Sequence, residues 1–129
     1  MPTISPSHRD LLESGHTISL ATVGADGLPQ VTAIWAMLDG DHVRTSLHPS
    51  RQKYRNLVAR PQATVFVIDP ANPYRTLEVR GTVEITEDTD LVFLQRLLAV
   101  YGSDLEHFQA PVDGRVVVTL HPTRVVELG

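Results

Sequence analysis

Apolar and polar residues alternate along several stretches of the chain, as they do in strands with one face on a core. The alternation is clearest in residues 77–85, and residues 17–20 repeat it over a shorter length. Residues 62–69 form a mostly apolar run, which predicts a buried strand. Together these stretches predict a protein built mainly from β-strands.

Residues 29–38 differ from the other stretches because both alternating sets of positions are apolar. A strand of this kind lies centrally in a sheet, or it packs its outer face on a ligand or on a second subunit. Asp39-Gly40 follows as a hairpin turn and predicts a further strand over residues 42–47. The chain closes with two predicted strands, residues 115–120 and 124–128.

Helical signals are short and few. One helix is predicted after Ser5-Pro6 and ends by Gly15. A second is predicted over residues 50–60, with Ser50 as its cap. Its core-facing side is predicted to carry Tyr54, Leu57 and Val58. A third covers residues 88–101 and is followed by a mobile linker.

Consecutive strands joined by short turns favour an antiparallel sheet, and about seven strands in 129 residues favour closure into a small barrel. Regular βαβ units are missing from the pattern, so a Rossmann-type fold is not expected. We predict a single domain over residues 1–129, mainly β with short helices.

Composition narrows the possible functions. The chain has no cysteine, which excludes disulfides, thiol catalysis and Cys-ligated metal or iron–sulfur sites. Its histidines show no metal-binding spacing, so no metal site is expected. The net charge of −4 argues against general nucleic-acid binding. With no long apolar run and no signal-peptide pattern, we expect a cytoplasmic protein without a membrane span.

The charge distribution is more informative than the net charge. Residues 42–68 contain five basic residues and no acidic residue, whereas all fifteen acidic residues lie elsewhere. Within this segment, Thr45 and Ser46 end a predicted strand shortly before a predicted helix that carries Arg51, Lys53 and Arg55. A helix N-terminus and such cations favour a phosphate. The alternative is a solvated helix surface with basic residues.

Two other side chains near this segment have open interpretations. Trp35, the only tryptophan, is either a cover for a flat ring or a core aromatic residue. His48 either assists the phosphate or is an ordinary loop histidine.

Several motifs, in their order and spacing, resemble the split-barrel family related to pyridoxamine 5'-phosphate oxidase. They are residues 20–22 and 26–30, residues 50–57 with Pro61, residues 77–83 and residues 121–125. The resemblance covers nearly the whole chain. It implies a six- to seven-stranded antiparallel split β-barrel of the FMN-binding type.

Within that family the chain is most similar to the branch that uses the deazaflavin coenzyme F420 instead of FMN. The resemblance implies a homodimer with the cofactor at the subunit interface. It also implies that Arg51, Lys53 and Arg55 hold the cofactor phosphate, with Thr45 and Ser46 nearby. The strand from Thr32 to Trp35 is then expected to lie against the ring.

The leading hypothesis is therefore an F420-dependent reductase that transfers a hydride to a small organic acceptor. An FMN-dependent oxidase or reductase of the same fold is the second hypothesis, and a non-enzymatic binder of a cofactor, tetrapyrrole or lipid is the third. True pyridoxamine-phosphate oxidases end in an Arg-rich substrate-binding segment, which this chain lacks after its last strand, so pyridoxal phosphate synthesis is not expected. The catalytic residues stay unknown, with Tyr74 and Arg75 as candidates for a proton donor or charge stabiliser.

Overall fold

The computed structural model describes residues 2–129 and contains one antiparallel sheet of seven strands. The strands are β1 (Ile18–Val23), β2 (Pro29–Ile34), β3 (Met37–Asp39), β4 (His42–Leu47), β5 (Gln62–Asp69), β6 (Asn72–Glu87) and β7 (Val116–Leu128). The helices are α1 (Asp10–Glu13), α2 (Gln52–Ala59) and α3 (Val92–Val100), with single 3₁₀ turns at Thr89–Leu91 and Leu105–His107. No helix in the described part of the chain is long and apolar enough to cross a membrane.

The strand order β2-β1-β5-β6-β7-β4-β3 places β2 and β3 at opposite edges of the sheet. Only Trp35 and Ala36 separate these two strands in the chain. Because three residue steps span at most about 11 Å, the two edges must come close together. The sheet therefore curls into a barrel that is split between β2 and β3, and the predicted fold class is confirmed.

The barrel interior is filled by the inward-facing side chains of the alternating strands. Leu20, Val65 and Val79 are almost completely buried there, each on a different strand of the β1-β5-β6 ladder. Helix α1 adds Leu11 and Leu12, both buried, to the same core. The alternation in the sequence thus identified core-facing positions of β1 and β6.

The stretch of residues 29–38 is two strands rather than one. The chain leaves the sheet at Trp35–Ala36, where the split of the barrel lies. Within residues 2–129, β2 pairs with β1 alone and lies at one edge of the sheet, so the first of the two alternatives for this stretch, a central strand, is wrong. Its outer face is exposed, and Val31 has 64% of its surface accessible.

The C-terminal pair of predicted strands is in fact one continuous strand, β7, that pairs with both β4 and β6. His121-Pro122 does not end it, because the register shifts between Arg80 and Gly81 on the neighbouring strand. Pro122 lies opposite Gly81, where the irregularity accommodates a residue without an N–H. A Cβ on Gly81 would overlap the His121 carbonyl group, so only glycine fits there.

The helices also differ in detail from the prediction. Ser50 does not cap α2; Arg51 occupies the cap position and no side chain bonds the helix end there. Val58 is 59% exposed, whereas Leu57 is buried. Helix α3 begins at Val92, after the 3₁₀ turn, because the Asp88 carboxylate accepts hydrogen bonds from the N–H groups of Phe93 and Leu94.

Candidate functional site

An open cavity of about 630 Å³ lies beside the split of the barrel. Its walls come from β2, β4, the start of α2, one side of α3, and residues 103–115. Thr32, Trp35, Thr45, Ser46, Arg51 and Lys53 all line it. Six of the seven predicted cofactor-binding residues, which lie on separate elements, are thus brought together.

Two cations of the cavity come from the beginning of α2. Arg51 is exposed at its cap position, and Lys53 is half-buried within its first turn. The Lys53 ammonium donates a hydrogen bond to the Thr32 hydroxyl at 3.1 Å. Neither cation forms an ion pair with a carboxylate of residues 2–129.

The electrostatics of Lys53 reflect this lack of a carboxylate. Burial lowers the pKa of Lys53 below its ordinary value, and the nearby positive charges of Arg51 and Arg115 lower it further. A negative charge placed among these groups would remove both the repulsion and part of the desolvation penalty. The cavity is therefore electrostatically suited to an anion.

The third cation is Arg115, which the sequence analysis did not identify. Its guanidinium donates from Nε to the Ser46 hydroxyl at 2.8 Å and from Nη1 to the Pro111 carbonyl at 2.8 Å. It also lies 5.0 Å from the centre of the Phe108 ring. Arg115 is far from Lys53 in the sequence, and only the pairing of Ser46 with Val117 in the β4–β7 ladder brings it to the cavity. The residues adjacent to Arg115 in the sequence carry no motif that predicts this contact.

The two predicted hydroxyls already have partners inside the protein. Thr45, which is buried, donates its hydroxyl proton to the Trp35 carbonyl at 2.6 Å. The Ser46 hydroxyl accepts the bond from Arg115. In the protein alone, these residues hold Trp35 and Arg115 in place at the cavity wall.

Arg55 does not line the cavity. Its guanidinium is exposed and donates to the Gln52 side-chain carbonyl at 2.7 Å. The neighbouring Asn56 is buried instead, and its amide donates to the Thr22 hydroxyl and to the Gln30 side-chain carbonyl. Asn56 therefore ties α2 to β1 and β2, a structural contribution that the sequence analysis missed.

Trp35 forms a flat wall of the cavity. Its ring stacks on Tyr101 with the ring centres 4.5 Å apart and the planes 11° from parallel. Because Trp35 is still 38% exposed, it is not an ordinary core aromatic residue. Tyr101 supports the ring from behind.

The Tyr101 hydroxyl also stabilises the break between β2 and β3. It accepts a hydrogen bond from the Ala36 N–H at 3.0 Å and lies 2.6 Å from the His16 carbonyl, to which it donates. Ala36 is completely buried, so its N–H has no access to water. Burial raises the pKa of Tyr101, which keeps the hydroxyl proton in place for these contacts.

Other candidate residues have different positions. His48 lines the cavity, and its Nδ1 is contacted by the Ser50 hydroxyl and the Ser50 N–H, so Nε2 carries the proton. Tyr74 is 83% exposed and lies outside the cavity. Arg75 is bound to the carboxylates of Asp10 and Asp69, which attaches α1 to β5 and β6. The fold of the chain does not bring Tyr74 or Arg75 into the cavity.

Comparison with known families identifies the class of the protein. Residues 4–129 match the family model described as pyridoxamine 5'-phosphate oxidase. The chain therefore belongs to the pyridoxamine 5'-phosphate oxidase family, as its motifs indicated. No match was found among proteins of curated function.

Solved structures give a finer comparison. The chain is 41% identical to a protein named F420 reductase, with 95% of this chain and 98% of that chain covered and a TM-score of 0.86. A conserved hypothetical protein from Mycobacterium tuberculosis shares the fold at 24% identity, with coverage of 98% and 85% and a TM-score of 0.74. General stress protein 26 from Bacillus anthracis does so at 16% identity, with coverage of 94% and 90% and a TM-score of 0.69.

The role of Tyr101 can be tested with Tyr101→Phe. This variant keeps the stacked ring but leaves the buried Ala36 N–H without its acceptor, which costs about 1–3 kcal/mol of unfolding free energy. Urea unfolding followed by Trp35 fluorescence measures the loss. Tyr74→Phe is the control, because the Tyr74 side chain is exposed and its hydroxyl makes no bond within residues 2–129. Equal stability of the two variants would contradict the assignment.

Proposed function

We propose that the cavity binds coenzyme F420 and that the protein is an F420-dependent oxidoreductase, which reduces a small organic acceptor. The observation that carries the proposal is the pairing of a flat aromatic wall, Trp35, with two cations, Arg51 and Lys53, that have no carboxylate partner within residues 2–129. A deazaflavin cofactor matches this arrangement, because it has a planar ring at one end and a phosphate-bearing chain at the other.

The cavity fits such a ligand in size and in chemistry. A volume of about 630 Å³ lies within the range of small-molecule and cofactor sites. Leu94, Leu97 and Leu98 of α3 supply apolar wall. When bound in its reduced form, F420 supplies a hydride, so the protein needs to orient the two reactants and exclude water.

Each group of cavity residues has a distinct task in this proposal. Arg51 and Lys53 bind the cofactor phosphate, and Thr32 orients the Lys53 ammonium through its hydroxyl. Trp35 contacts the ring, and Thr45 fixes the Trp35 backbone at the split. We assign no proton donor.

Similarity to the protein named F420 reductase supports F420 over FMN, because 41% identity extends over almost the whole of both chains. FMN stays the alternative, since the family as a whole is described by an oxidase. A non-enzymatic carrier is the third candidate, and it would bind the cofactor without reducing any acceptor.

Titration of the purified protein with F420 and, separately, with FMN tests the function. Trp35 is the only tryptophan and lines the cavity, so its fluorescence reports occupancy directly. We expect micromolar or tighter binding of F420 and weaker binding of FMN. Preference for FMN would contradict the cofactor assignment, and tight F420 binding without turnover in an acceptor screen would favour the carrier.

We further propose that two copies associate through the exposed apolar face near β2. Leu28 and Val31 are each 64% exposed, and Ile68 on β5 is 48% exposed. The register of the β2-β1-β5 ladder places Val31 and Ile68 on the same face of the sheet. Exposed apolar side chains on one face at a sheet edge favour burial against a partner. Light scattering coupled to size-exclusion chromatography should give the mass of a dimer, and Val31→Glu should shift it to that of a monomer. A wild-type monomer would contradict the proposal.

Single substitutions of the cations test the phosphate assignment. Arg51→Ala and Lys53→Ala should each weaken cofactor binding by about 1–3 kcal/mol, the scale of a charge-assisted hydrogen bond, while the fold is retained. Arg55→Ala removes a charge from the same helix outside the cavity, so it should have a smaller effect. Unchanged affinity in both cavity variants, measured by the Trp35 titration, would exclude the proposed phosphate site.

A further inference from the structure

Arg115 is a cation of the cavity that comes from neither α2 nor the motifs of the basic segment. It is the residue directly before β7, at the end of the segment of residues 103–114. This segment contains a single 3₁₀ turn, and Phe108 and Ala110 contribute part of the cavity wall. Arg115 therefore lies where a long loop meets the sheet.

The guanidinium of Arg115 is held in a fixed position without a carboxylate. Its Nε and Nη2 donate to the hydroxyl and the carbonyl of Ser46, and its Nη1 donates to the Pro111 carbonyl. An arginine has five N–H groups, so these three bonds leave two without an acceptor among residues 2–129. The Phe108 ring covers part of the same group.

The charges around Arg115 are predominantly positive. Arg51, Lys53 and Arg115 all line the same cavity. Burial is the main cause that lowers the pKa of Arg115, and the charge of Arg51 lowers it further, just as Arg115 adds to the lowering of the pKa of Lys53. Asp88 is the only carboxylate that acts on Arg115 in the described chain, and it opposes this effect. The Asp88 oxygens, however, are bound to the N–H groups that begin α3 and form no ion pair with Arg115.

We propose that Arg115 is a ligand-binding residue that shares the anionic group with Lys53 and Arg51, so that one anion joins the start of α2 to the segment of residues 103–114. With three cations around it, the site favours a group with at least two negative charges, such as a phosphate dianion or a phosphate with a neighbouring carboxylate. Binding then also fixes the loop wall, because Arg115 holds Pro111 and Phe108.

This inference rests on the proposed function only for the identity of the ligand. The competing explanation is that Arg115 merely fastens the loop to β4. The two explanations differ in charge dependence. A fastening role depends on the fork of hydrogen bonds to Ser46 and Pro111, whereas anion binding depends on the positive charge.

Three variants separate these explanations. Arg115→Gln removes the charge, and Arg115→Lys keeps the charge but loses the fork of N–H groups. Arg124→Gln is the matched control, because Arg124 lies on β7, the strand that follows Arg115 directly, is exposed and lines no part of the cavity. Each protein is titrated with F420 and FMN by Trp35 fluorescence. Each is also heated with and without inorganic phosphate or pyrophosphate, and the shift in Tm is measured.

We expect Arg115→Gln to weaken binding of the cofactor about tenfold or more, on the scale of one charge-assisted hydrogen bond. Arg115→Lys should recover most of this loss, and Arg124→Gln should bind as the wild type does. Pyrophosphate should raise the Tm of the wild type and of Arg124→Gln more than that of Arg115→Gln. The affinity difference between wild type and Arg115→Gln should also shrink as salt concentration rises.

Wild-type cofactor affinity in Arg115→Gln would overturn the inference. An equal loss of affinity in Arg115→Gln and Arg115→Lys would also overturn it, because that result would indicate a fastening role. Failure of the function proposal has a different signature. If neither F420 nor FMN binds the wild type, but pyrophosphate still stabilises it in an Arg115-dependent way, the anion site stands and the cofactor assignment falls. If pyrophosphate stabilises no variant while F420 binds all of them equally, the cofactor assignment stands and the anion site at Arg115 falls.

Discussion

The structure depends on a two-residue break in the sheet, Trp35–Ala36, and on the side chains that satisfy its backbone. At this point the chain passes from one edge strand of the sheet to the other, so ladder hydrogen bonds are lost where the barrel splits. In place of a ladder partner, the Ala36 N–H donates to the Tyr101 hydroxyl. The Trp35 carbonyl accepts a hydrogen bond from the Thr45 hydroxyl in the same way. A buried backbone N–H without a partner costs on the order of 1–3 kcal/mol, so the bond between the buried Ala36 and Tyr101 contributes substantially to the stability of the split.

The same contacts also create the site. Tyr101 stacks on the Trp35 ring and so turns it toward the cavity as a flat surface. Thr45 lies on β4, next to Ser46, which in turn holds Arg115. The aromatic wall and one of the cations are thus fixed by consecutive residues of one strand. A change at the split would therefore alter the shape of the cavity as well as the stability of the barrel.

The sequence predicted the strands best where one face is buried, as in β4 and β5, whose bounds agree with the prediction. It failed where tertiary structure overrides the local pattern. Pro122 reads as a strand end, yet a register shift in the β6–β7 pair, where Pro122 lies opposite Gly81, accommodates it. The same limit applies to the site. Arg51 and Lys53 could be found from the sequence because both lie in one short basic segment. Arg115 and Tyr101 reach the site through strand pairing and helix packing, for which a single sequence has no local signal.

The way in which the cavity cations are held explains why they suit a ligand. Arg75, which lies outside the cavity, is bound by two carboxylates, and these raise its pKa. Arg115 and Lys53 are instead held by hydroxyl and carbonyl oxygens, which fix their positions without neutralising them. A carboxylate beside either cation would stabilise the ligand-free protein, but it would compete with any incoming anion. Burial is the main cause that lowers the pKa of both groups, and neighbouring positive charge lowers each pKa further. An anion among these groups would offset the charge repulsion and so favour the protonated form of each cation.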